Sequence, residues 1–169
     1  MVIYTYMDKI EKYIREYVEN TGSQGVVIGI SGGIDSAVVA ALSVKSLGKD
    51  KVLGLILPYQ SQSEDIGDAL KVVNMLDIDY KVVDLSKTYQ NFLADNKMEE
   101  DNTSLVFANI KPRLRMAALY FHSALNSYLV VGTSNKSELI TGYCTKYGDS
   151  GVDFEPIADL LKKEVYGIA

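Results

Sequence analysis

The chain has 169 residues, 47% of them apolar and 23% charged, enough for one domain with a sizeable core. Lys and Arg total 17 against 22 Asp and Glu, a net charge of −5, which argues against a protein that coats nucleic acid or an anionic membrane. A single cysteine, Cys144, excludes an internal disulfide; the charged N-terminal stretch and the lack of any run near the roughly 20 apolar residues of a membrane span point to a soluble, cytoplasmic chain.

Ile3, Met7, Ile10, Ile14, Tyr17 and Val18 recur at helical spacing with charges between them, and Gly22-Ser23-Gln24-Gly25 ends that amphipathic helix. Tyr4, Tyr6, Tyr13 and Tyr17 fall near the same spacing and read as packing or a dimer surface. Residues 26–30 form a short, continuously apolar run, as a strand buried on both faces should. Ser31-Gly32-Gly33 breaks it, and residues 35–47 predict a helix stopped at Gly48. Residues 52–57 predict a second strand ended by Pro58, and Ser61, three residues before Glu64, gives capping-box spacing for a helix over about 64–76. A third strand follows over 79–85, then a polar stretch, 88–102, read as short helix and loop. Residues 104–127 predict one long helix entered or kinked at Pro112. A fourth strand over 128–132, a helix over 134–140, a glycine-rich functional loop over 141–152, a fifth strand over 157–160 and a new helix from about Leu161 complete the pattern. Strands alternating with helices predict a single α/β domain over residues 1–169: a Rossmann-like open parallel sheet of about five strands with helices on both faces.

The strongest chemical signal is Ser31-Gly32-Gly33-Ile34-Asp35-Ser36, between the first strand and its helix. A helix start offers unpaired N–H groups and the positive end of the dipole, the glycines let backbone approach an anion, and the serines add hydroxyl donors. No Lys precedes Ser36, so this is not a Walker A loop, and the G-x-G-x-x-G spacing of dinucleotide folds is absent. Asp35 beside a phosphate nest would be repulsive unless a divalent cation lay between them, which suggests Mg²⁺ bridging to a polyphosphate. The bland alternative is a glycine turn whose Ser or Asp caps the helix.

Ser31 to Ser36 resembles the SGGxDS loop of the ATP pyrophosphatases, whose fold is that of the adenine nucleotide alpha hydrolases. These enzymes cleave ATP between its α and β phosphates and place AMP on a carboxylate or carbonyl. The loop alone leaves open GMP, asparagine and argininosuccinate synthetases, tRNA-modifying enzymes, or a non-catalytic nucleotide-binding module. Residues 109–116, NIKPRLRM, resemble the NIxxRxRM segment of NAD synthetases; 132–138, GTSNKSE, resemble their GTSNxSE segment; 141–149, TGYCTKYGD, resemble their TGYxTKYGD loop. Asp153, Pro156 and residues 161–165 continue in register. One cysteine and an acidic balance weigh against a tRNA-thiolating enzyme.

The resemblance to ammonia-dependent NAD synthetases implies a C–N-forming ligase that adenylates the nicotinate carboxylate of deamido-NAD with ATP and lets ammonia displace AMP. It implies Asp35 and Glu138 as Mg²⁺ ligands, and Asp35 and Lys162 as the catalytic pair. Gly29, Ile30, Ser31, Gly32, Gly33, Ile34, Asp35, Ser36, Thr133 and Lys162 would contact ATP, and Arg113, Lys146 and Asp153 deamido-NAD. It further implies a homodimer. Many bacterial members carry His where this chain has Asn135, so no family role is transferred to that position. Family members continue past Ala169, so the chain reads as C-terminally incomplete, the further segment supplying another ATP contact, residues near the nicotinate and some of the dimer surface. From position alone, Glu138 and Lys162 would be solvated helix charges, and Arg113 with Arg115 a basic helix face. Cys144 has no evident base partner, since His122 sits in an apolar helical stretch as a packed or surface residue. No glutaminase site is visible, which points to free ammonia as the nitrogen source.

Overall fold

The computed structural model describes residues 2–59, 63–101 and 103–169. Four parallel strands form one sheet: β1 (Gly25–Gly29), β2 (Val52–Ile56), β3 (Asp79–Val82) and β4 (Tyr128–Val131), in the spatial order β3-β2-β1-β4. Val26 pairs with Val52 on one side and Leu129 on the other. The continuous apolar run of β1 is explained by two covered faces. Val26 and Ile28 point into a core shared with helices α1 (Val2–Thr21), α2 (Ile34–Leu47) and α3 (Ser63–Leu76). Val27, one residue out of phase, points to the opposite face with Leu53, Leu55 and Val130. Val26, Val27 and Ile28 are each fully enclosed, and burial of each stabilises the fold by about 1.5–3 kcal/mol. By contrast β3, at the sheet edge, is exposed along its whole length and ends at Val82, short of the expected 85, although Val83 and Leu85 still donate to Ile56 and Pro58 carbonyls.

The long helix expected over 104–127 is two helices, α5 (Leu105–Ala108) and α6 (Ile110–Asn126). Pro112 is the cause. It is the third residue of α6, where its missing N–H would be unsatisfied anyway, and its ring opposes the carbonyl four residues back, at Ala108, the last residue of α5. Ser104 caps α5, its Oγ accepting from the Val106 N–H. The ambiguous stretch before it holds helix α4 (Ser86–Asp95). Helix α3 begins at Ser63; Ser61 of the expected capping box lies outside the described residues. The last helices are α7 (Lys136–Thr141) and α8 (Lys162–Ile168).

The fifth strand expected over 157–160 is absent. That segment is a turn whose Ile157 and Leu160 fill the core, so apolarity there reflects packing rather than pleating. The sheet is extended beyond β4 by a single parallel bridge, Val131 to Phe154. Asp153 explains why it goes no further: its N–H donates to the Val130 carbonyl (2.9 Å), but the Val130 N–H is taken by the Asp153 carboxylate (Oδ2, 2.7 Å) rather than by a backbone carbonyl. A side chain stands in for a rung of the ladder, and the chain turns away.

Candidate active site

From β1 the chain passes to β2 and β3 on one side, and β4 returns on the other side of β1. The loops leaving β1 and β4 therefore diverge, and a crevice opens at the carboxyl ends of the strands. It measures about 350 Å³, and its walls include Gly29, Ser31, Leu57, Arg115, Thr133 and Asp149.

The glycine loop forms one rim. Gly32 has φ 85°, and a Cβ there would lie 2.7 Å from the Asp65 carbonyl oxygen, so only glycine fits. The two serines brace the turn: Ser36 Oγ donates to the Gly33 carbonyl (2.9 Å) and sits 3.1 Å from Ser31 Oγ, which accepts from the Gly33 N–H (3.2 Å). Gly33 is the cap residue of α2 and supplies no side chain to its first turn. The serines hold the loop shape and leave the helix's leading N–H groups available to an anion.

Asp35, in that first turn, is where distant parts of the chain meet. Its Oδ1 accepts from Asn135 Nδ2 (3.1 Å), 100 residues on, and its Oδ2 pairs with Lys162 Nζ, 127 residues on. Asn135 is fully buried and caps α7 in a reciprocal box: its Oδ1 accepts from the Glu138 N–H (3.2 Å), and its own N–H donates to Glu138 Oε2 (3.1 Å). Lys162 opens α8, its N–H held by Ser137 Oγ (3.1 Å) and the helix seated by fully buried Val165. The hydrogen bond to Asp35, then the charges of Asp35 and Glu138, raise the Lys162 ammonium pKa above its ordinary value. Thus Asp35, Glu138, Thr133 and Lys162 converge around the glycine loop.

The three residues expected at deamido-NAD are arranged differently. Arg113 and Lys146 are exposed and adjacent, Arg113 Nε donating to the Lys146 carbonyl (3.2 Å), and neither lines the crevice. Asp153 faces inward. Both carboxylate oxygens are engaged, by the Val130 N–H and by Tyr120 Oη (3.0 Å), and its backbone carbonyl accepts from Tyr17 Oη (3.0 Å).

Two further residues carry shifted pKa values: Arg115, read from sequence only as part of a basic helix face and lining the crevice, and Glu155, not singled out from sequence. Arg115 lies two positions from Arg113 and so on another side of α6; burial lowers its guanidinium pKa, and its Nε donates to the Leu57 carbonyl (3.0 Å). Glu155 crosses the end of β4 so closely that a Cβ on Gly132 would meet its Cγ at 2.7 Å; burial, then the charges of Asp149 and Glu138, raise its pKa against a hydrogen bond from Ser134. Nothing in a lone Glu 24 residues past the end of β4 signalled this. Cys144 is exposed and His122 is buried in α6.

Among the described residues no group of three or more His, Cys, Asp or Glu converges to hold a metal. Asp35 and Glu138 nevertheless suit a hard cation that takes its remaining ligands from phosphate and water, and a cation, the Lys162 ammonium, already rests on Asp35. Among the same residues, no helix is long and apolar enough to cross a membrane.

An open parallel sheet, a helix start without a side-chain cap at its switch point and an Asp–Lys pair beside it define an α/β fold whose crevice is faced by free helix N–H groups. A family model described as NAD synthase matches residues 6–169, and the chain belongs to that family. It is 47% identical over 161 residues to an NH(3)-dependent NAD(+) synthetase from Thermococcus sibiricus, covering 95% of this chain and 62% of that one. A solved NH3-dependent NAD synthetase from Campylobacter jejuni, in complex with the nitrate ion, superposes with TM-score 0.92 at 43% identity, over 100% of this chain and 72% of that one. An NMN synthetase from Francisella tularensis superposes with TM-score 0.92 at 35% identity, over 98% and 68%. The chain spans between 60% and 66% of the length of the curated relatives it matches.

Proposed function

We propose that this chain carries the adenylation and amidation chemistry of an ammonia-dependent NAD synthetase, converting deamido-NAD, ATP and ammonia to NAD, AMP and pyrophosphate. The observation that carries the reading is the meeting of three segments at Asp35: the glycine loop, Asn135 with the α7 start, and Lys162. The nicotinate carboxylate oxygen attacks the α-phosphorus of ATP, and the bond to pyrophosphate breaks. Ammonia then attacks the acyl carbon, AMP leaves with the former carboxylate oxygen, and the nitrogen loses a proton to give the amide.

In this reading the leading N–H groups of α2 and residues 29–36 bind the departing pyrophosphate, whose charge would otherwise oppose the attack. Asp35 and Glu138 would hold Mg²⁺, which when bound offsets phosphate charge. Lys162, released from Asp35, pairs with a phosphate oxygen, and Thr133 adds a contact from the β4 side. Arg113 and Lys146 present cations to the dinucleotide. Asp153 acts at one remove, tying β4 to Tyr120 of α6 and Tyr17 of α1. The chain forms one catalytic domain and works as a homodimer.

The Francisella relative gives a second substrate a specific basis, nicotinate mononucleotide, which carries the same carboxylate. Both are distinguished by incubating the chain with ATP, Mg²⁺ and ammonium plus either substrate, and following products by chromatography. AMP and NAD appearing together, and only with deamido-NAD present, support the reading. Turnover of the mononucleotide alone would replace the substrate, and ATP cleaved to ADP would overturn the reaction class.

A further inference from the structure

We infer that Asn135 is a positioning residue that makes the Asp35 carboxylate ready for a divalent cation; this rests on the function proposed above. Three observations carry it. Asn135 is fully buried, so its amide has no water to satisfy it. Its Oδ1 is committed to the Glu138 N–H, which fixes the amide orientation: turned over, it would set N–H against N–H and oxygen against a carboxylate. The remaining Nδ2 therefore points at Asp35 Oδ1, at 3.1 Å. One neutral side chain thus orients Asp35 on α2 and the helix start that carries Glu138.

The choice of residue follows from chemistry. Ser or Asp would cap α7 as well as Asn does. Asp has no hydrogen to offer Asp35 and would add a third carboxylate; Ser is too short to span both partners. A cationic side chain would compete with the metal for Asp35, as Lys162 already does. Only a neutral group that both accepts and donates can cap the helix and steer Asp35 without neutralising it.

The test measures binding rather than turnover. The dissociation constant of α,β-methylene-ATP, which cannot release pyrophosphate, is taken by calorimetry with and without Mg²⁺ for the parent chain and Asn135→Ser. Loss of a group that orients a metal ligand typically weakens metal affinity about 10- to 100-fold. The expectation is that Asn135→Ser loses most of the Mg²⁺-dependent gain, about tenfold or more, while metal-free binding stays within about twofold. In an Asp35→Asn background, Asn135→Ser should add nothing further, because its effect runs through Asp35. Should serine leave too large a gap and the variant melt early, Asn135→Thr, which also caps, is read by the same measurements. An unchanged Mg²⁺ gain, an equal loss with and without Mg²⁺, or a further loss in the Asp35→Asn background each overturns the inference. A parent chain that gains nothing from Mg²⁺ overturns the proposed function and the inference with it.

Discussion

Asp153→Ala separates a role in holding the sheet from a role in touching substrate. The carboxylate accepts from the Val130 N–H at 2.7 Å and from Tyr120 Oη at 3.0 Å. Val130 is fully enclosed, so its N–H cannot turn to water once the acceptor is gone; a buried donor left unpaired costs about 1–3 kcal/mol. Tyr120 is only partly buried and can find water, so its lost bond costs about 0.5–1.5 kcal/mol. The sum, about 1.5–4.5 kcal/mol, corresponds to a fall in Tm of about 3–18 °C for a chain of this size. Asp153→Asn keeps one acceptor for Val130 and should lose about 1 kcal/mol. Thermal melts by circular dichroism give the first readout. The second is the Tyr120 hydroxyl, whose pKa is pushed up to about 12 by burial, then by its bond to Asp153; Asp153→Ala should lower it, as seen by ultraviolet titration. An Asp153→Ala variant with parental Tm and weakened deamido-NAD binding would refute the reasoning and put the carboxylate on the ligand.

Other expectations follow from single contacts. Gly32→Ala forces a side chain into φ 85° and against the Asp65 carbonyl, and should abolish ATP binding, measured by calorimetry, at a cost to folding of about 1–2 kcal/mol or more. Glu155→Gln should stabilise the chain at neutral pH. The raised pKa means the folded state holds its proton above the ordinary 4.5 while the unfolded chain has lost it, so stability falls as pH rises through that window. The advantage should vanish below about pH 4 in urea titrations, and a variant less stable at pH 7 would contradict it. Glu100 accepts from both Tyr59 (3.0 Å) and Tyr89 (3.1 Å), whose pKa values are pushed up to about 12 by burial, then by that bond; Glu100→Gln should lower both, read at the same ultraviolet band.

Local rules located the glycine loop and most elements because the relevant signals are local: an apolar run for β1, glycines at its end, Gly48 after α2. The same rules misread the stretch at 157–160, where buried Ile157 and Leu160 lie on a turn, because apolar content reports burial before it reports pleating. They also misplaced the break before α6, because the effect of Pro112 falls four residues upstream. The Asn135–Glu138 capping box has a local spacing that was not read, and the reach of Asn135 to Asp35 spans 100 residues and has no local trace. Lys162 is similar: by position an exposed helix lysine, it is half-buried against Asp35 only because Val165 seats α8 in the core.

Activation of a carboxylate by adenylation on this chain is tested most directly by oxygen transfer. Deamido-NAD labelled with heavy oxygen in the nicotinate carboxylate is incubated with ATP, Mg²⁺ and ammonium, and the AMP is analysed by mass spectrometry. AMP should carry one heavy oxygen from the carboxylate, in step with NAD formation. NAD accompanied by unlabelled AMP, or by ADP in its place, would contradict activation by adenylation.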